Sequence, residues 1–114
     1  MLNKNRRITK ELFGILVKEG KNIHSDNVYL RFCKTEEVSK FSFVVSSKVF
    51  KNATDRNLFK RRGRHIVKKQ DSNLKEGYLC AFFAKNSNTN RSFVDLEKEF
   101  VFLLTKSDIL KNQA

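Results

Sequence analysis

Residues 48–69 read K-V-F-K-N-A-T-D-R-N-L-F-K-R-R-G-R-H-I-V-K-K. The stretch holds nine Lys and Arg against a single acid, Asp55. At about 100° per residue on a helix, Arg56, Asn57, Lys60, Arg61, Arg64 and Lys68 fall within one arc of roughly 140°. Phe59, Gly63, Ile66 and Val67 fall within another of roughly 100°. The spacing predicts a helix over 54–70. Its apolar face packs on a core, and its other face offers five cations and an amide to something negative. Arg and Asn are multidentate donors suited to phosphates and base edges. The compensating acids usual at i±4 on a solvated charged face are missing here.

Outward from this helix, the pattern changes to alternation. Residues 27–34 place Val28, Leu30 and Phe32 on one face and Tyr29, Arg31 and Cys33 on the other. Residues 41–46 do the same, with Phe41, Phe43 and Val45 opposite Ser42, Val44 and Ser46. The two runs are expected to pair as a hairpin across the polar turn 35–40. After the basic helix, Gly77 opens a third run, 78–85, apolar on both faces as a central strand is.

Helices flank these strands. Thr9 reads as an N-cap with Glu11 in the first turn, and Gly20 as a stop, giving a helix over 9–19. Its stripe is Ile8, Leu12, Ile15 and Leu16, with Phe13 and Val17 as a second apolar pair beside it. Ser92 with Asp95 reads as a capping box. Phe93, Leu96, Phe100, Leu103 and Leu104 then make a last helix, ending near Lys106 or Lys111. The fold class is α+β, a layered sandwich in the order helix, hairpin, helix, strand, helix.

At 114 residues the chain suits one domain. Residues 1–8, basic and without an acid, read as a flexible arm, and residues 9–114 as a single α+β domain, expected to bind RNA on the grounds of the charge and resemblance below. Net charge is +12, a self-repulsion that a polyanion relieves, with nucleic acid the first candidate and an anionic membrane surface the second. No run of 18 apolar residues spans a membrane, and the basic start has no apolar stretch behind it. A cytoplasmic location is expected. Cys33 and Cys80, with only His24 and His65 beside them, show no zinc spacing, and read as reduced structural thiols.

Two histidines and a lysine can in principle cleave RNA, but nothing in the spacing gathers His24 and His65. No Walker loop, metal cluster or nucleophile motif is present, so no catalytic residue is assigned and any chemistry belongs to a partner. The strand face bearing Tyr29 and Arg31 can stack on or clamp single-stranded bases. Phe13 and Val17 either line that same surface or belong to the core.

Asn52-Ala53, then Arg56-Asn57, a hydrophobic pair, Lys60-Arg61 and Arg64 resemble the signature of the bacterial ribonuclease P protein family. Arg7-Ile8-Thr9-Lys10 before a Phe-containing helix, and Ser46-Ser47-Lys48 after a strand, match that family as well. The resemblance covers roughly residues 6–110. Leu58 stands where the family has a second Arg, and Val17 and Arg31 stand where many members carry aromatics. One extra residue lies between Ser46 and Asn52.

The resemblance implies a ribosomal-protein-like fold with a left-handed βαβ crossover around the basic helix, a rare hand. It implies a protein subunit that assists a catalytic RNA in removing the 5′ leader of precursor tRNA by phosphodiester hydrolysis. Mg2+ is bound mainly by the RNA. Lys48, Asn52, Arg56, Asn57, Lys60, Arg61, Arg64 and Lys68 would dock the catalytic RNA. Phe13, Val17, Tyr29, Arg31 and Ser46 would hold the single-stranded leader. The partners are then the catalytic RNA and precursor tRNA, with no membrane and no obligate protein partner. The shared fold leaves a second reading open, a ribosomal or ribosome-associated RNA-binding protein with no enzymatic role.

Overall fold

A strand that is apolar on both faces needs cover on both faces and a neighbour along each edge. Tyr78–Ala84 has all of these in the computed structural model, which describes residues 4–111. The elements are α1 (Lys10–Glu19), β1 (Lys21–His24), β2 (Val28–Lys34), β3 (Lys40–Val44), α2 (Ala53–Lys69), β4 (Tyr78–Ala84) and α3 (Phe93–Lys106). Short 3-10 turns occupy Lys4–Arg6, Asp71–Asn73 and Ser87–Asn90. The sheet order is β1-β2-β4-β3.

This order corrects the expected hairpin. The strands at 28–34 and 40–44 do not pair with each other. β2 pairs antiparallel with β4 on one side and with β1 on the other, while β3 pairs with β4 in parallel. The hairpin of the fold is β1–β2, and β3–α2–β4 is the crossover that parallel neighbours require. The physical reason lies in β4. Five of its seven residues are buried, on both faces, and gain most at the centre, so β3 is displaced to the far edge.

Two cores result. On one side, Val28, Leu30, Phe41, Phe43, Cys80 and Phe82 meet Phe59, Ile66 and Val67 of α2 and Leu96, Phe100, Leu103 and Leu104 of α3. Phe82 and Phe100 stack at 4.0 Å between ring centroids, 7° from parallel. On the other side, Leu16 of α1 packs on Leu79 and Ala81, flanked by Leu12, Phe13 and Phe83. The layers are therefore α1, the sheet, then α2 with α3.

The caps fall where the residue types place them. Thr9 accepts the amide of Leu12, and Ser92 that of Asp95. The stripe of α1 is rotated from the expected one, since Ile15 is 41% exposed while Phe13 turns toward the sheet.

Residues 4–8 are not a free arm. Arg6 is buried, Arg7 forms a parallel bridge with Phe41 along β3, and Ile8 packs beside Leu16. The reason is charge pairing: Arg6 meets Asp71 and Glu76, which the local sequence around Arg6 does not reveal. Residues 1–3 of that segment lie outside the described residues.

Candidate nucleic-acid interface

α2 turns its two faces as the helical spacing predicts. Phe59, Gly63, Ile66 and Val67 are its buried residues. Asn57, Arg61 and Lys68 are exposed, and Arg56, Lys60 and Arg64 are half-buried at the margin. Asp55 in the first turn and Lys68 in the last complement the helix dipole.

Cations off the arc are engaged within the fold. Arg62 donates from Nη1 to the carbonyl of Asn90 at 3.0 Å, and Lys69 pairs with Glu97 at 2.7 Å. Among the described residues, Lys60, Arg61, Arg64 and Lys68 pair with no acid. Arg56 is intermediate, because its Nη1 donates to the carbonyls of Phe50 at 2.6 Å and Lys51 at 2.9 Å, pinning the loop before the helix. Lys48 and Asn52 stand exposed on that loop, Asn52 as an N-cap whose side chain makes no capping bond.

Beside α2, a cleft of about 430 Å³ runs over the β3 edge. Lys60 and Arg64 line it from the helix, Arg7 and Ile8 from the N-terminal segment, and Phe41, Ser42 and Phe43 from β3. Arg7 was not among the residues singled out from the sequence as a site. Its position follows from the pairing along β3, which no local pattern announces.

The opposite face of the sheet, under α1, carries a row of rings. His24, Tyr29 and Phe83 are direct cross-strand partners on β1, β2 and β4, followed by Val44 on β3. Tyr29 stacks on Phe83 at 4.6 Å and 2°, and meets His24 at 5.0 Å and 31°. Tyr29 and Phe83 are half-buried and His24 is exposed. Phe83 is the residue the sequence reading missed, since β4 is apolar on both faces and only the register puts its ring beside Tyr29.

The other residues read as leader contacts divide. Phe13 packs beside Leu16 and is half-buried, so it contributes to the core. Val17 is 52% exposed. Ser46 lies past the end of β3, where its carbonyl accepts the amides of Val49 and Phe50 in the turn toward α2.

Arg31 does not offer a free guanidinium. Nε donates to the carbonyl of Leu16 at 3.0 Å, Nη2 to that of Val17 at 2.6 Å, and Nη1 to Asn22 Oδ1 at 2.9 Å. It faces α1, as alternation predicts, but carbonyls of the last helical turn take its donors, that of Leu16 alongside the Gly20 amide. Its side chain also crosses Gly20, leaving no room for a Cβ there.

Burial raises the Cys80 thiol well above its ordinary value, and the neighbouring Cys33 adds to this. Burial also raises Cys33, with Glu19 adding and Arg31 opposing. Both are free thiols held protonated. Among the described residues no three His, Cys, Asp or Glu gather to hold a metal ion, and no helix is long and apolar enough to cross a membrane.

The sequence model of the Ribonuclease P family matches residues 1–108. The chain belongs to the ribonuclease P protein family. Membership carries a place in an endoribonuclease complex and partnership with an RNA subunit. A ribonuclease P protein component of Clostridium botulinum strain Langeland is 29% identical over 114 residues, covering 95% of this chain and 98% of that protein. One from Synechococcus is 35% identical over 72 residues, covering 63% of this chain and 54% of that protein. Among solved structures, the Staphylococcus aureus RNase P protein superposes with a TM-score of 0.83 at 17% identity, covering 96% of this chain and 100% of the other. The Thermotoga maritima RNase P protein does so at 0.78 and 23%, covering 88% and 96%. At such identity the two structures speak for the fold, and the fold is the ribonuclease P protein's.

Proposed function

We propose that this chain is the protein subunit of a ribonuclease P that removes the 5′ leader from precursor tRNA in the cytoplasm. The solvent-facing arc of α2 docks the catalytic RNA. The ring row under α1 receives the single-stranded leader. One observation carries this reading: four cations of α2 lie on one face without an acid partner, while those off the arc are bonded within the fold. A polyanion is the complement of such a face.

The leader assignment rests on Tyr29 and Phe83, with Phe13 and Val17 as the α1 wall. Bases stack on such rings without regard to sequence. Arg31 is reassigned from leader clamp to helix anchor. In this reading Mg2+ is held mainly by the RNA, and no step is routed through the protein. The chain's own residues bind, orient and screen charge.

Reconstitution tests the proposal. Pure protein should leave precursor tRNA intact, and adding ribonuclease P RNA from the same organism should give magnesium-dependent release of the leader. Cleavage by RNA-free protein, lost in His24→Ala or His65→Ala, would overturn it in favour of an autonomous nuclease. Co-purification with ribosomal RNA alone would favour the ribosomal reading.

A further inference from the structure

Arg6 and Arg7 are neighbours in sequence and opposites in environment. The side chain of Arg6 is 9% exposed. Its Nε donates to Asp71 Oδ1 at 2.7 Å, and Nη2 to Glu76 Oε2 at 2.8 Å. Nη1 donates to the Ser39 carbonyl at 2.9 Å and to Glu76 Oε1 at 3.1 Å. Glu76 in turn accepts the Ser39 amide at 2.8 Å. Lys40, also buried, donates to the Asn5 carbonyl at 2.6 Å. The backbone on the N-terminal side of Arg7 is therefore held at two points, and Arg7 itself bridges to Phe41.

Arg6 is the last residue of the 3-10 turn, and Arg7, whose amide closes that turn on the Lys4 carbonyl, begins the bridge to β3. With Arg6 locked inward, Arg7 is turned outward. It is exposed, pairs with no acid among the described residues, and lines the cleft with Lys60 and Arg64. Two acids neutralise the first arginine, and the second is left for a ligand.

We infer that Arg6 is a positioning residue: its contacts with Glu76, Asp71 and Ser39 fix Arg7 beside Lys60 and Arg64 as a preformed contact for an RNA phosphate. This rests on the RNA-binding reading of α2 given above. The clamp removes the cost of ordering a basic segment at the moment of binding. It ties the N-terminal segment, which lines one side of the RNA-binding cleft, to the connection between α2 and β4.

The test uses the full chain and ribonuclease P RNA from the same organism, with dissociation constants measured across a salt series. Glu76→Gln raises the net charge by one, so a charge effect alone would tighten binding. The clamp predicts weakening by about two- to tenfold, the ordering of one long side chain. It also predicts a salt slope shallower by about 0.7–0.9, one phosphate contact fewer, as in Arg7→Ala. In the Arg7→Ala background, Glu76→Gln should weaken binding no further. Arg6→Lys, which keeps the charge but cannot reach two acids and a carbonyl together, should behave as Glu76→Gln does. Thermal melts establish that each variant is folded. Unchanged or tighter binding by Glu76→Gln, or a loss that adds in full to that of Arg7→Ala, would overturn the inference. Salt-insensitive binding by the unsubstituted protein would instead overturn the RNA-binding reading, and the clamp's role with it.

Discussion

The ring of Phe43 fills the space that a side chain on Gly63 would need. The glycine in the middle of the basic motif is thus a packing device. It lets α2 press on β3, and the ring cannot easily yield, being stacked near Phe82 at 5.9 Å and Phe100 at 6.2 Å. Gly63→Ala gains helix propensity of about 1 kcal/mol but overpacks the core by about 1–3 kcal/mol. A net loss of stability in urea titration is the expected outcome, although alanine is the better helix former.

Arg31→Ala should lower the melting temperature. It removes the donors to the carbonyls of Val17 and of Leu16, which keeps the Gly20 amide, and hydrogen bonds to a charged group contribute about 1.5–3 kcal/mol each at most, less at this half-exposed site. Arg31→Lys should restore little, since an ammonium cannot span the two carbonyls and Asn22 in one plane. Differential scanning calorimetry of both variants checks this. A leader-binding defect with no loss of stability would return Arg31 to the substrate cleft.

Acid should loosen the N-terminal clamp. The hydrogen bond from Arg6 holds Glu76 below the ordinary carboxylate range, with burial opposing and the Ser39 amide assisting. A carboxyl depressed on folding stabilises the protein above its unfolded value of about 4.3. That contribution is lost as pH falls through the folded value. The melting temperature should fall less steeply below about pH 4.3 in Glu76→Gln than in the unsubstituted protein.

Binding to the ribonuclease P RNA should weaken sharply with salt. If about six cations of α2 and the N-terminal segment neutralise phosphates, the slope of log K against log salt is on the order of −4 to −6. Filter binding or fluorescence titration gives this slope directly. A slope near −1, on the order of a single phosphate contact, would mean that the basic face is merely solvated.

How far the sequence could be read depended on whether a feature was local. The faces of α2 were legible because charge and apolarity separate at helical period over five turns' worth of residues, roughly 3.6 per turn. Phe59, Gly63, Ile66 and Val67 are buried together for that reason. β1 was not legible: Lys-Asn-Ile-His carries one apolar residue, and its strand character comes from pairing with β2. The neighbour of β3 was misjudged because proximity in sequence was taken for pairing, while the two-sided burial of β4 drew both strands to it. For the site, the direction of Arg31 was legible from alternation, but its acceptors were not, since they belong to the end of another element. Phe83 and the Arg6 clamp share that character: each depends on register or on partners dozens of residues away.

The proposed function divides the molecule into an RNA-docking helix and a leader-binding sheet face, a division that affinities for two forms of tRNA can test. The holoenzyme is reconstituted with unsubstituted, Tyr29→Ala or Phe83→Ala protein. Its affinity is then measured for precursor tRNA with a leader of several nucleotides and for mature tRNA. Each substitution should weaken precursor binding by about 1–3 kcal/mol, the worth of a stacked base. Affinity for mature tRNA and for the RNA subunit should stay nearly unchanged. Equal losses for precursor and mature tRNA would contradict the claim and leave the sheet face without a leader.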